Sequence, residues 1–321
     1  MVSKGRGAAL YEAFLASQIL PHAWEEWCGY RSQVTDYLIG NSKRGTSLAI
    51  FGAGRCNDLD LGRLLGHFSQ VTLLDVDEKA MWEGLEKYGD FERGKGGKAS
   101  QQLIVFPVDF TGITAEDLIA FAEAFLRVWD GKDPYSAVYK AEEILSGIYG
   151  KSWAYVPAFP QKQFDYTVAL GVHSQLGSAP AWMLDAVGDE LCSRVRQWEN
   201  TDISSFFYWW QEERVNLFRR IERESIYLAR QLNHFILLAT KEKAFLGYEL
   251  CRAVSRDGIW YAVPDSYVTG AWQAAEDLKR LDAGGSIHFR NYFDIVWPFC
   301  AAQNKAYRMM IMEAEIVGKK G

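Results

Sequence analysis

Four short apolar runs, each cut off by glycine or aspartate, constrain this chain more than any other feature. They are residues 48–51 before Gly52, 71–74 before Asp75, 103–108 before Asp109 and 164–170 before Gly171. A run of this length without polar alternation reads as a strand buried on both faces. Between the runs, apolar residues recur at threes and fours. Leu59, Leu61, Leu64 and Leu65 do so over 58–68, and Leu118, Phe121, Phe125 and Val128 over 114–129. The second of these opens on Thr114-Ala115-Glu116-Asp117, a capping sequence. Residues 78–88 read as a further helix. Strand alternating with helix predicts a parallel sheet wound by right-handed crossovers.

The same reading places a fifth strand at 235–239. It places helices within 7–40, at 134–149, over 180–232 with a break near 200–204, and at 265–281. Residues 89–100, charged and rich in glycine, read as a loop. Residues 287–296 and 307–317 read as two closing strands. Their short connection favours an antiparallel hairpin.

Composition narrows the function classes. A net charge of −6 provides no field that draws phosphates in, so no nucleic-acid partner is expected. No run of about 18 apolar residues exists, so no membrane span is expected. Glu12 interrupts the apolar stretch near the N-terminus, and no small-residue cleavage site follows, which argues against a signal peptide. Cys28, Cys56, Cys192, Cys251 and Cys300 show no paired spacing. They form neither a disulfide framework nor a metal site, and a cytoplasmic setting is expected. The content of 12 Trp, 16 Tyr and 18 Phe is high for 321 residues, and these rings must fill a core or line a pocket.

The chemistry concentrates at the ends of the apolar runs. Phe51-Gly52-Ala53-Gly54 joins a strand to a helix, where glycine lets a ligand approach the backbone. Asp75 ends the next strand, about twenty residues on, where a carboxylate meets ribose hydroxyls. Asp77 competes with it for that role. Asp109-Phe110 ends the third strand, and its carboxylate suits an adenine amino group. The dinucleotide fingerprint needs a third glycine, and Asn57 stands there instead. Asp58 and Asp60 put negative charge at the start of the following helix, which suits a ligand with a positive centre rather than pyrophosphate.

The motifs Ile50-Phe51-Gly52-Ala53-Gly54, Leu74-Asp75-Val76-Asp77, Val108-Asp109-Phe110 and Phe164-Asp165-Tyr166-Thr167-Val168-Ala169-Leu170, in this order, resemble the class I S-adenosylmethionine-dependent methyltransferases. The resemblance covers about residues 45–240, and the closing strands fit that family's reversed hairpin. Cys56 departs from it, standing where many members carry another glycine. The resemblance implies a Rossmann-like, doubly wound, mostly parallel seven-stranded α/β sheet with a C-terminal antiparallel hairpin and helical insertions forming a lid. It implies one domain over 1–321: an N-terminal helical cap (1–40), a cofactor-binding core (45–175), a helical insertion (176–232) and the C-terminal half of the sheet (233–321).

By the same resemblance, Gly52 and Gly54 lie against the methionine part of S-adenosylmethionine, Asp75 holds the ribose, and Asp109 with the Phe110 backbone holds the adenine. Ala53, Asn57, Asp58, Val76, Leu170 and Gly171 complete the expected cofactor contacts. His173, just past the fourth strand, is the candidate base for a protonated nucleophile. The expected activity is methyl transfer to a nitrogen or oxygen of a small molecule, aromatic or amine-containing. The rings at 153–159 and 206–210 are either its pocket or ordinary packing, including a homodimer contact. A nicotinamide-dependent oxidoreductase and a non-catalytic cofactor-binding protein of the same fold are the alternatives.

Overall fold

The computed structural model describes residues 5–88, 102–127, 134–158, 161–196, 203–256 and 259–317. The expected loop over 89–100, together with Val128, Trp129 and Phe159, lies outside the described residues. The chain divides into two compact units, each built from three segments. One comprises Pro21–Phe110, Pro157–Ser174 and Ala229–Gly321, and the other Met1–Leu20, Thr111–Val156 and Gln175–Leu228.

The first unit is the sheet. Its strands are β1 (Ser47–Phe51), β2 (Gln70–Asp75), β3 (Leu103–Pro107), β4 (Phe164–Leu170), β5 (Thr240–Arg256), β6 (Ile259–Tyr267), β7 (Ile287–Cys300) and β8 (Lys305–Ile316). The order is β3-β2-β1-β4-β5-β8-β7, with β6 paired only to β5. The first five strands of that order run parallel, whereas β8 is antiparallel to both β5 and β7. In the dinucleotide-binding order a sixth parallel strand follows the fifth. Here the last strand, reversed, takes that place. The expected seven-stranded path is present, and β6 is an eighth strand.

The continuous apolar runs behave as their composition requires. Leu48, Ala49 and Phe51 of β1, and Val71 and Leu73 of β2, have no solvent exposure. Three helices precede β1: α1 (Arg6–Ser17), α2 (Ala23–Glu26) and α3 (Cys28–Gly40). Of these, α3 buries Tyr30, Val34 and Leu38. The crossover helices of the sheet unit are α4 (Leu61–His67), capped by Asp60, and α5 (Glu78–Leu85), capped by Asp77.

The second unit is helical. It contains α1, α6 (Ala115–Arg127), α7 (Pro134–Ala154), α9 (Ser178–Val195) and most of α10 (Ile203–Ala239); α8 (Val172–Gln175) is a single turn after β4. The expected capping box forms. Thr114 Oγ1 accepts from Asp117 N at 3.2 Å, and Asp117 Oδ2 accepts from Thr114 N at 3.2 Å. The core of this unit includes Phe121, Phe125, Phe206 and Trp210, all nearly or fully buried.

Two expectations are corrected. Residues 235–239 are the last turns of α10, not a strand, and β5 starts at Thr240. Leu228, Leu232, Ile236 and Ala239 are buried at threes and fours, so a helical stripe stands where a short apolar run suggested a strand. The helix expected at 265–281 is α11 (Thr269–Ala283), and β6 occupies the residues before it.

Candidate functional site

All the expected site residues belong to the sheet unit. The turn after β1 takes left-handed backbone at Gly52 (φ +70°), Gly54 (φ +46°) and Cys56 (φ +54°). A side chain at Gly52 would stand 2.7 Å from Val172, so that glycine lets α8 close on the turn. A side chain at Gly54 would meet nothing within 4 Å, so that glycine faces open space. Cys56 adopts the left-handed backbone that glycine adopts freely. Its thiol is buried, and burial pushes its pKa up to about 12.

Asp75 fastens the turn to β2. Its Oδ2 accepts from Gly54 N at 2.9 Å and its Oδ1 from Asp77 N at 3.0 Å. Burial raises its pKa, and these two hydrogen bonds oppose that rise. An ionised carboxylate offers about four lone-pair positions, so acceptor capacity is left on Asp75 for hydroxyl donors. Asp77 is committed elsewhere, its Oδ1 accepting from Ala80 N at 2.9 Å as the cap of α5. The two aspartates thus make different contacts, Asp75 to the glycine turn and Asp77 to the start of α5. Val76 between them is exposed.

Gly52, Ala53, Asp58 and Leu170 line one small pocket together with Ile50, Phe51, Cys56, Leu59 and Leu61. Asp58 Oδ1 is buried there without a hydrogen-bond partner. Burial pushes its pKa up to about 7, against the pull of the nearby Arg31 and Lys87. Asn57 is fixed by its neighbours, its carbonyl accepting from Arg31 Nη1 at 3.0 Å and its Oδ1 from Lys87 Nζ. Beyond β3, the ring of Phe110 lies 5.6 Å from that of Phe51. Asp109 is half-buried beside it.

His173, expected as the catalytic base, does not stand open to solvent. The residue is 1% exposed, with its ring 4.8 Å from Tyr248. Neither ring nitrogen has a hydrogen-bond partner. Nearby Asn233 donates its amide to the Ala274 carbonyl at 2.8 Å and accepts from Tyr248 Oη at 2.8 Å. Burial drives the imidazole pKa down to about 3, and Asn233 offsets only part of that fall. A ring buried in this way resists taking up a proton near neutral pH.

The structure places different groups beside Gly171. That residue has φ +67°, and a side chain on it would stand 3.0 Å from Glu249 Oε1 and 3.1 Å from the Trp297 ring. Glu249 is the one acidic residue in the apolar stretch 244–251 of β5. A carboxylate inside an apolar strand was the available signal. Trp297 and its ring partners Trp27 and Tyr30 carried no comparable mark, since α3 reads equally well as a packing helix.

The rings at 206–210 divide between packing and exposure, with Tyr208 turned to solvent. Phe206 and Trp210 are core residues of the helical unit, and Trp210 meets Phe125 edge-on at 5.9 Å. Trp153 is half-exposed and donates to Glu224 at 2.9 Å. Among the described residues, no group of three or more His, Cys, Asp or Glu is placed to hold a metal ion, and no helix is long and apolar enough to cross a membrane.

No family model and no curated protein matches the chain. Solved structures similar to it include a SAM-dependent methyltransferase from Methanosarcina mazei, at 8% identity and TM-score 0.41, covering 88% of this chain and 98% of that one. Magnesium protoporphyrin IX methyltransferase from Synechocystis PCC 6803 with bound SAH is similar at 8% identity and TM-score 0.37, covering 98% and 95%. M. capricolum TrmK in complex with S-adenosyl-homocysteine is similar at 7% identity and TM-score 0.34, covering 88% and 67%.

Proposed function

We propose that the chain is an S-adenosylmethionine-dependent methyltransferase acting on a nitrogen or oxygen nucleophile of a small molecule. The observation that carries this reading is the clasp between the first two strands. Asp75 holds the Gly54 amide at 2.9 Å, and the glycine itself faces open space. The strand order, with a reversed strand next to β5, supports it.

The residues fit this cofactor better than a dinucleotide. Asp58 provides a buried, unpartnered carboxylate oxygen beside the turn. A pyrophosphate there meets like charge, whereas a ligand carrying sulfonium and ammonium centres meets its opposite. Asp75 would hold the ribose hydroxyls, Asp109 and the Phe110 backbone the adenine, and Gly52, Ala53 and Gly54 the methionine part. Asn57 would steady the loop, while Val76, Leu170 and Gly171 would flank the bound group. When bound, the cofactor supplies a methyl group on a positively charged sulfur. The protein's own share is to orient the nucleophile toward it and keep water out. The net charge of −6 supports a small-molecule acceptor over a nucleic acid, and the unpaired cysteine pattern supports a cytoplasmic setting.

Calorimetric titration of the full chain with S-adenosylhomocysteine and with NADH tests the cofactor. Binding of the first and not the second is expected, and the reverse overturns the reading. Transfer of labelled methyl from S-adenosylmethionine is then followed on amine and hydroxyl small molecules and on total RNA. Label entering only RNA overturns the small-molecule assignment. Tight cofactor binding without transfer to any nucleophile favours the non-catalytic alternative.

A further inference from the structure

Two glutamates are buried to the same degree in the sheet unit, and only one is accounted for by the fold. Glu313 on β8 is 2% exposed, and its carboxylate receives Tyr37 Oη at 2.5 Å and Lys243 Nζ at 2.7 Å. Glu249 on β5 is also 2% exposed, yet it has no cationic partner. Its Oε1 accepts from Ser174 Oγ at 2.8 Å, and its Oε2 is buried with no partner at all. A buried carboxyl group with one oxygen unsatisfied is uncommon, and with no cation beside it Glu249 keeps its proton near neutral pH and ionises readily only when a positive partner arrives.

The surroundings of Glu249 are aromatic. The Trp297 ring stands beside it over Gly171. Trp27 meets Trp297 edge-on at 5.0 Å, and Tyr30 stacks on it at 6.1 Å. Tyr307 adds a further ring at 6.3 Å. Trp297 Nε1 has no hydrogen-bond partner, so turning that ring aside breaks no hydrogen bond. The pairing of Glu249 with Met309, and of Trp297 with Tyr307, sets this cluster at the level where β4 ends in Gly171. A carboxyl group set beside a cluster of aromatic rings is chemistry suited to an alkylammonium group.

We infer that Glu249, with Trp27, Tyr30 and Trp297, forms the acceptor subsite, and that the acceptor is a primary or secondary amine arriving as its ammonium ion. This inference rests on the methyltransferase reading and names its substrate class. Glu249 Oε2 accepts the ammonium N–H. The N–H bond then breaks and an O–H bond forms on Oε2, which leaves the nitrogen lone pair free. The raised pKa of Glu249, about 8 through burial, makes the carboxylate a strong enough base for that exchange. The charged and titratable groups facing it are Asp58, Tyr30 and Tyr307. None of them is a cation.

The test uses benzylamine and its neutral counterpart benzyl alcohol, titrated calorimetrically into the full chain at pH 8.5, where Glu249 is largely ionised and benzylamine is still largely its ammonium ion, with and without S-adenosylhomocysteine. Benzylamine is expected to bind at least tenfold more tightly than benzyl alcohol. In Glu249→Gln that preference is expected to fall to near unity. This substitution keeps the volume and an acceptor for Ser174 while removing only the charge, so the fold is retained. Trp297→Leu is expected to weaken benzylamine several-fold. Equal binding of the two probes to the wild type, or an undiminished preference in Glu249→Gln, overturns the inference. A wild type that prefers benzylamine but fails to bind S-adenosylhomocysteine overturns the methyltransferase reading and leaves the amine subsite standing.

Discussion

At the scale of single residues, two carboxylates dominate the behaviour of the site. Asp58 and Glu249 have folded pKa values of about 7 and about 8, both raised by burial from the ordinary carboxylate range. A raised acid pKa means that the folded state holds its proton more firmly than the unfolded chain does. The stability this contributes is complete below the unfolded pKa and is lost as pH rises through the folded one. The melting temperature is therefore expected to fall between about pH 5 and pH 8. The double variant Asp58→Asn, Glu249→Gln should flatten that limb in a series of thermal melts, and an unchanged slope would assign the loss to other groups. Asp75 is the second residue-scale case. Asp75→Ala removes a charged acceptor from the proposed ribose position and should weaken S-adenosylhomocysteine by about 1.5–3 kcal/mol. Unchanged affinity in the folded variant would reject that contact.

At the scale of elements, neighbouring aspartates separate cleanly by task. Asp77 caps α5, so Asp77→Ala should cost about 1 kcal/mol of stability in a denaturant titration and leave cofactor affinity alone. A large loss of affinity would instead place Asp77 on the ligand. This division was only half legible in the sequence, because either aspartate fits the end of an apolar run. Strands β1 to β4 were legible, since buried parallel strands carry continuous apolar runs with abrupt ends. The start of β5 was not, because residues 235–239 are apolar enough for a strand, and only the stripe from Leu228 to Ala239 marks them as helix. The glycine turn and the aspartate that ends β2 could be read from spacing, whereas the hydrogen bond that joins them could not. Glu249 was marked only as a carboxylate inside an apolar strand, and its importance comes from what is missing around it in space. The burial of His173 was not legible for a related reason: position at a strand end says nothing about which way a ring turns.

At the scale of the whole molecule, the residues of the proposed cofactor and acceptor sites all fall in the sheet unit, and the core built around Phe121, Phe125, Phe206 and Trp210 falls in the helical unit. Trp210→Ala should therefore cost about 3–5 kcal/mol of stability, the usual price of deleting a buried ring. Below the lowered melting temperature it should still bind S-adenosylhomocysteine with near wild-type affinity, as calorimetry would show. Loss of binding in a chain that remains folded would tie the cofactor to the helical unit as well.

The reversed strand β8 has a consequence for the birth of the protein. It follows all the other strands in the chain, yet it lies between β5 and β7, with Met309, Ile311, Met312 and Ala314 fully buried. During synthesis β5 and β7 emerge first and must wait, each with an apolar flank and a row of unpaired amides facing the same gap. Non-local pairings of this kind form slowly and leave strand edges open to other chains in the meantime. A ribosome that stalls before residue 305 releases a sheet with a slot in its interior rather than one with a trimmed margin. Such fragments are natural clients for chaperones and proteases, and a fusion joined shortly after β8 must leave that strand free to slide home.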